Sequence, residues 1–385
     1  MYNKKVLNDF FQAIGNEIQI ETDFLKRTNE TDIDFIPLRA IKTVNLIKKY
    51  RINKYLYAVI CLFFIILSPL YFMLKLIKNL QLKNKNHFIV GKNIILVSNG
   101  RAEYLYSKLE INETIQCINI NQPMKEGHLF IHSLGTIYDY IKAYFYALWC
   151  VPFVFFKLEK KMNILQVYVA YEWFLVYFLL KKHCDKIEKI YFANHYDRWA
   201  SMFDMLFEKK ELIMMQHGIL PEELSLSYKL KNINIIYTLS ERSIMIFKKI
   251  FDCKSTIFYV INPSLRLTEV EDSSNSILLI GQPQSIDLEI KLLKYLKNKI
   301  KYNIYIKPHP LFDDSKYHTI KGVVVIKDRD FFPNVGVALS YESTLGLEYE
   351  ASGIYTIWWK DMEFDSIYNK IYNKEKNKCL KTKPY

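Results

Sequence analysis

From Asn93 onward, short runs rich in Ile, Val and Leu recur at spacings that leave room for a helix between them. The first series is Asn93–Asn99 (NIILVSN, ending at Gly100), Thr114–Ile120, Lys189–Ala193 (KIYFA), Leu212–Met215 (LIMM) and Ile233–Leu239 (INIIYTL). The second is Ile277–Gly281 (ILLIG), Tyr302–Lys307 (YNIYIK), Val323–Ile326 (VVVI), Val335–Leu339 (VGVAL) and Ile354–Trp358 (IYTIW), with a helix expected from Asp287 to about Lys299. Runs of this kind without polar alternation belong to parallel strands buried on both faces by helices. The chain is therefore expected to be α/β, with two Rossmann-like lobes and a cleft between them. The lobes cover residues 91–262 and 277–372. The polar stretch Asn262–Ser276, with Pro263 and EDSSNS, is the expected hinge. Asp361–Tyr372 is a candidate closing helix.

Residues 1–90 read as a helical arm. The net charge is +13, and it is not spread evenly. No acidic residue occurs between Asp34 and Glu103, a stretch that holds Arg39, Lys42, Lys48, Lys49, Arg51, Lys54, Lys75, Lys78, Lys83, Lys85, Lys92 and Arg101. The rest of the chain is close to neutral, which argues against nucleic acid as a partner. Inside the basic stretch lies Tyr55–Leu74, twenty residues without a charge. That length is enough to cross a bilayer core. Three readings are open: a spanning helix, an in-plane or re-entrant segment broken at Pro69 with both flanks on an anionic membrane face, or a buried core helix. Two later apolar runs, Tyr138–Phe156 and Ile164–Leu180, carry charges and are expected to be core helices of a lobe, with aromatic-rich amphipathic helices facing lipid as the alternative. The six cysteines form no CxxC pair, so neither a zinc ribbon nor a disulfide framework is indicated, and a reducing compartment suits them.

Ligands of open α/β sheets bind beyond the C-terminal ends of the strands. Four groups of candidate residues follow expected strands. Gln216-His217-Gly218 places a titratable ring on a turn, where it suits a general base. Lys307-Pro308-His309-Pro310 combines a cation and an imidazole on a restricted backbone, as a phosphate site would. Ser340–Glu348 brings Ser343 and Thr344 to a helix start, where hydroxyls and backbone N–H groups can meet phosphate oxygens. Glu348, one turn later, is a candidate ribose contact. Asn194-His195-Tyr196-Asp197-Arg198 gathers a carboxylate, an imidazole and a guanidinium, and Gly281-Gln282 offers a small loop for a base. No GxGxxG, P-loop or HExxH occurs.

Taken in order, these motifs resemble those of bacterial GT-B polysaccharide glycosyltransferases related to capsule polysialyl- and Kdo-transferases and to teichoic-acid polyol-phosphate transferases. The resemblance covers roughly residues 93–360 and rests most on KPHP and the Ser-Thr segment. It implies a GT-B fold with a donor nucleotide between His309 and Ser343/Thr344, contacted by Lys307, Glu348, Gly281 and Gln282. It implies transfer without a metal or a bound cofactor, the nucleotide-sugar being a substrate. It assigns the base to His217, with Asp197 in reserve, and puts Asn194, Arg198, Gln216 and Gly218 in the cleft. The chain departs from polysialyltransferases in having QHG where they carry an acidic motif.

The expected activity is transfer of a sugar from a CMP- or other NDP-sugar to a surface polysaccharide or lipid-linked oligosaccharide, probing an anionic membrane surface from the cytoplasmic face. A CDP-glycerol or CDP-ribitol polyol-phosphate transferase, and a non-catalytic membrane scaffold of a polysaccharide assembly complex, are the alternatives.

Overall fold

The computed structural model describes residues 3–27, 40–81, 90–98, 101–109, 111–120, 127–157, 161–252, 254–262, 264–282, 285–309, 314–328 and 330–381. Asn99, Gly100, Pro263 and Pro310 of the sequence motifs lie outside the described residues, as do Arg39, Lys83 and Lys85 of the basic stretch. The chain divides into two compact units, Met1–Ile261 and Asn262–Tyr385.

The first unit opens with three helices: α1 (Lys4–Arg27), α2 (Ala40–Tyr50) and α3 (Lys54–Gln81). Strands and helices then alternate: β1 (Asn93–Val97), α4 (Arg101–Ser107), β2 (Gln116–Asn119), β3 (Leu129–Phe130), α5 (Ile137–Lys157), α6 (Ala170–His183), β4 (Lys189–Phe192), α7 (Arg198–Leu206), β5 (Glu211–Met215), β6 (Ile233–Thr238), α8 (Glu241–Ile250) and β7 (Ile257–Val260). The sheet is parallel throughout, in the order β3-β2-β1-β4-β5-β6-β7. Side chains of β1 alternate between two cores. Ile94 and Leu96 enter the large core shared with α1, α5, α6 and α7, while Ile95 and Val97 pack on the α4 side. Burial on both faces is why these strands show as unbroken apolar runs.

The second unit contains β8 (Ser276–Ile280), α9 (Ile286–Lys299), β9 (Asn303–Lys307), β10 (Val323–Val325), β11 (Val337–Ser340), α10 (Thr344–Ala351), β12 (Tyr355–Trp358) and α11 (Phe364–Lys381). Its parallel sheet runs β10-β9-β8-β11-β12. Ile277, Leu279, Ile304 and Leu339 face the core shared with α9 and α11, and Leu278, Ile280 and Ala338 face the α10 side. Both units are thus Rossmann-like. In each, strand order reverses beside the first strand, at β1/β4 and at β8/β11.

Several elements depart from the sequence expectation. The apolar run Ile164–Leu180 is split: residues Lys161–Val169 form a 3-10 helix before α6 begins. The expected hinge is not a free linker, because Thr268 N–H donates to the Phe332 carbonyl (2.7 Å) and Asn334 N–H to the Thr268 carbonyl (2.7 Å). The helix α3 continues through Pro69. A proline inside a helix leaves the carbonyl four residues earlier without its N–H. Here that carbonyl is Ile65, and the Ser68 hydroxyl donates to it at 2.9 Å.

The N-terminal helices are not a detached arm. On α1, Val6, Leu7, Phe10, Ala13 and Ile14 are buried, a single helical face. Phe10 meets Trp173 edge-on at 5.2 Å and Phe174 at 5.0 Å. Asn16 Nδ2 donates to Ser201 Oγ (3.1 Å) and to the Tyr228 carbonyl (2.9 Å), and Tyr228 N–H returns a bond to Asn16 Oδ1 (2.7 Å). The next residue, Glu17, accepts from Arg198 Nη1 at 2.6 and 2.8 Å. Burial pushes the Glu17 carboxyl above its ordinary range, while the guanidinium pulls it back.

Removing one partner of a covered ion pair leaves the other charge uncompensated, at a cost of about 3–5 kcal/mol. Arg198→Met should lower stability to urea by that order. In the variant the Glu17 carboxyl rises further, so the folded state holds a proton that the unfolded chain releases. The deficit should therefore shrink as pH falls from 8 to 5. A deficit below about 1 kcal/mol would mean that the pair behaves as a surface bridge.

Candidate functional site

The C-terminal ends of the first sheet are joined by hydrogen bonds that cross four adjacent strands. Beyond β1, Ser98 Oγ donates to Asn194 Oδ1 at 2.8 Å. Asn194, beyond β4 and 2% exposed, donates from Nδ2 to Asp197 Oδ2 at 2.6 Å. The other oxygen of Asp197 accepts from the N–H groups of Trp199 and Ala200, both at 3.0 Å. Asp197 is the N-cap of α7, with the extended backbone a cap requires. Its acceptor sites are committed to the fold, which leaves little of it for the reserve base role.

Beyond β5, Gln216 is fully buried. Its Oε1 accepts from Leu239 N–H (2.9 Å) at the end of β6, and its Nε2 donates to the Gly218 carbonyl (2.8 Å). Gln216 therefore clamps the QHG turn. His217 N–H donates to His195 Nε2 at 2.8 Å, and the two rings stack with centroids 4.1 Å apart. Since His195 Nε2 accepts, its Nδ1 carries the proton and serves the Met215 carbonyl. Burial, then the neighbouring His217, hold its pKa well below the ordinary value. His195 is locked neutral and fixes the backbone of its neighbour. The His217 ring also stays neutral near pH 7. Burial lowers its pKa, opposed by the Asp197 charge and a bond to the Ala193 backbone. Its Nδ1 is covered and has no partner among the described residues.

Arg198 does not join this group. It begins α7, and its guanidinium turns to Glu17 on α1, as described above. The strand ends bring Asn194, Asp197, Gln216 and His217 into one hydrogen-bonded group, together with His195, whose contact with His217 depends on strand pairing.

In the second unit, Gly281 follows β8 and donates its N–H to the Lys307 carbonyl at 2.9 Å. A Cβ at Gly281 would lie 2.9 Å from the Tyr317 hydroxyl and 3.2 Å from Pro308 Cα, so a larger residue would have to displace Tyr317 or the start of the next loop. The loop is held from beneath by Glu289 on α9, which is fully buried. Its carboxylate accepts from Gln282 N–H (2.8 Å), Ser285 Oγ (2.6 Å) and the Tyr317 hydroxyl. Burial raises its pKa, and these donors oppose the rise. Sequence reasoning passed over Glu289, since its partner Tyr317 lies 28 residues away.

Lys307 ends β9 and is 9% exposed. Its Nζ donates to the carbonyls of Asp328 and Phe331, both at 2.8 Å, and lies 4.6 Å above the Phe332 ring. Burial lowers its pKa. The ammonium, expected at a phosphate, ties down the loop after β10. His309, two residues on, is half-buried, and burial lowers its pKa also. Beyond β11, Ser343 caps α10, accepting from Leu345 N–H at 3.3 Å, and its own N–H donates to Ser340 Oγ at 3.1 Å. Ser343 and Thr344 are half-buried at the helix start, whereas Glu348 is buried. A Cβ on Gly346 would come within 2.5 Å of Ser340 Oγ, so the helix packs closely on its strand.

No family model matches the chain, and no curated protein is similar to it in sequence. Solved structures to which the chain is similar include TarM, HepE and MurG. TarM is 13% identical, with a TM-score of 0.36 over 52% of this chain and 51% of its own. The chain thus spans about half the length of TarM. Alr3699/HepE of Anabaena, solved in complex with UDP-glucose, is 9% identical with a TM-score of 0.45, covering 74% of this chain and 90% of its own. MurG of Acinetobacter baumannii is 8% identical with a TM-score of 0.39, covering 74% and 91%. None shares enough sequence to bring a residue's role to this chain.

One cluster of metal-ligand residue types lies elsewhere in the first unit, where Glu103, Cys117 and His128 bring ligand-type atoms within 4.8 Å of one another. His128 Nε2 is 2.7 Å from the Glu103 carboxylate, an ion-pair spacing. Two ligands of one tetrahedral zinc stand roughly 3.3 Å apart, given bonds of about 2.0 Å.

The geometry at Lys307 separates two roles. Hydrogen bonds from a charged group to buried acceptors are worth about 1.5–3 kcal/mol. Lys307→Met should lose stability of that order. A variant with unchanged stability and a nucleotide affinity lowered more than about tenfold would return Lys307 to phosphate binding.

Proposed function

We propose that this chain is a glycosyltransferase of the GT-B type, moving a sugar from a CMP- or other NDP-sugar to a hydroxyl of a lipid-linked oligosaccharide or growing surface polysaccharide. The observation that carries the reading is the second unit's switch point. The Gly281 loop, His309 and the start of α10 follow β8, β9 and β11, which are neighbours in one parallel sheet. That is where open α/β sheets bind nucleotides. The positive end of α10 suits a phosphate, with the Ser343 and Thr344 hydroxyls beside it. Gly281 lets a ligand approach the backbone.

In this reading the departing nucleotide phosphate is stabilised by α10 and His309, with no metal assigned. Glu289 and Lys307 position the two loops without touching the donor. The acceptor hydroxyl is activated in the first unit. An alcohol is a poor nucleophile at neutral pH, so a group must take its proton as the bond to the anomeric carbon forms. His217 is neutral, and Asp197 would favour the imidazolium that results. Direct displacement of this kind inverts the anomeric centre.

His309→Ala should abolish turnover and weaken nucleotide binding while the protein keeps its fold. Normal nucleotide affinity in a folded His309→Ala protein would remove His309 from the donor site. His217→Ala should lower kcat by about 10²–10⁴-fold with donor affinity nearly unchanged. Because the neutral ring is the active form and its pKa is depressed, kcat/KM should be flat above pH 7. Its acid limb should fall below the ordinary histidine value of about 6.5. A His217→Ala enzyme with near wild-type kcat beside an inactive, folded Asp197→Asn enzyme would shift the role to Asp197. A screen with CDP-glycerol and CDP-ribitol beside nucleotide-sugars separates polyol-phosphate transfer from glycosyl transfer.

A further inference from the structure

We infer that α3 and α5 together form a two-helix plate that seats the first unit on one leaflet of an anionic bilayer, with α3 lying in the membrane plane. The inference goes beyond the proposed reaction and holds whatever chemistry the strand ends carry.

The helix α3 has 28 residues, about 42 Å at 1.5 Å per residue. Its buried residues are Tyr57, Cys61, Ser68, Phe72 and Asn79, spaced by four and seven in alternation. That spacing draws one stripe along the whole helix, and the stripe faces the protein. The opposite side is apolar and bare, including Leu62, Phe63, Ile66, Leu67, Leu70 and Leu74. Only 22% of its most apolar window is buried, against 83% for the less apolar stretch Asn163–Lys186. The second is a core helix and the first is not.

Helix α5 packs beside α3 and repeats the arrangement. Tyr140, Ala143, Ala147, Cys150 and Val154 are buried in the large core. On its other side Ile141, Phe145, Trp149, Phe153 and Phe156 recur every three or four residues and are exposed, Phe145 at 61% and Phe156 at 80%. The expectation of an ordinary core helix at Tyr138–Phe156 therefore holds for one face only. Two adjoining helices with apolar outer faces exceed what a soluble surface ordinarily carries.

The charges around the plate choose the occupant. Lys48, Lys49, Arg51 and Lys54 are exposed at the entry of α3, and Lys78 is exposed near its end. No acidic residue lies between Asp34 and Glu103 to offset them. Apolar faces rimmed by lysine and arginine match acyl chains under anionic headgroups. The position of α1 sets the orientation. It lies before α3 in the chain, yet Phe10 and the Glu17–Arg198 pair hold it in the same core as the sheet that follows α3. A spanning α3 would put α1 and that sheet on opposite sides of the membrane. The helix therefore runs along the surface, with both of its ends on one side.

The test uses the full chain with vesicles of phosphatidylcholine, with or without phosphatidylglycerol. The protein should float with the anionic vesicles and less so in high salt. F145E/W149E on α5 and F63E/L70E on α3 should each reduce the bound fraction at least about tenfold. Circular dichroism and the thermal midpoint should stay unchanged, because all four positions are exposed. Tags at both chain ends should be cleaved by protease added outside the vesicles. The inference is overturned if wild-type protein ignores anionic vesicles, or if folded F145E/W149E floats as wild type does. Protection of the N-terminal tag alone would mean that α3 spans. A lipid-free dimer that both double variants abolish, without vesicle binding, would assign the face to a second copy of the chain.

Discussion

Arg198 holds both carboxylate oxygens of Glu17 where each side chain is mostly covered, so neither charge has enough water to stand alone. The pair fixes α1 against the start of α7. The start of α7 is also where Asp197 caps the helix and receives Asn194, and Asn194 in turn receives Ser98 from β1. The loop that carries Asn194 also carries His195, which sets the backbone of His217. A constraint far from any ligand thus reaches the group assigned to take the acceptor proton. The same constraint keeps α1 on the side of the sheet and so keeps α3 from crossing a bilayer.

The strands were legible because each is a short apolar run buried on both faces, and the alternation with helices made the two lobes legible too. What was missed is physically weaker in the sequence. The edge strand β7 has mostly exposed residues and β3 has only two, so neither carries a buried run. The burial of α1 rests on five residues of one face amid many polar ones, a pattern that tells little until Phe10 is seen against Trp173 and Phe174. Proline at position 69 suggested a break, and the Ser68 hydroxyl removes the need for one.

Among the site residues, position along the chain was easier to read than the direction of a side chain. Lys307 ends a strand and Arg198 starts the helix that follows one, places where a cation invites assignment to a ligand. Their partners are carbonyls of Asp328 and Phe331 and a carboxylate of α1, none of them near in sequence. Glu289 shows the reverse case, a carboxylate with no motif around it that holds the Gly281 loop through three donors. Each unit then has a rigid lower layer of satisfied polar groups, Gln216, Asp197 and His195 in one and Glu289 and Lys307 in the other. Above that layer His217, His309, Ser343 and Thr344 occupy the strand ends. Such layering lets a site meet a charged ligand without reorganising.

The central claim is that the second unit binds a nucleotide at its switch point, and thermal unfolding in the presence of CMP, CDP and UDP tests it most directly. A ligand at a hundredfold excess over its Kd stabilises by about 2.7 kcal/mol, enough to raise the melting temperature by several degrees. The account predicts such a rise with at least one of the three nucleotides, saturating with concentration and lost in His309→Ala. Melting temperatures unchanged by all three at millimolar concentration would contradict it.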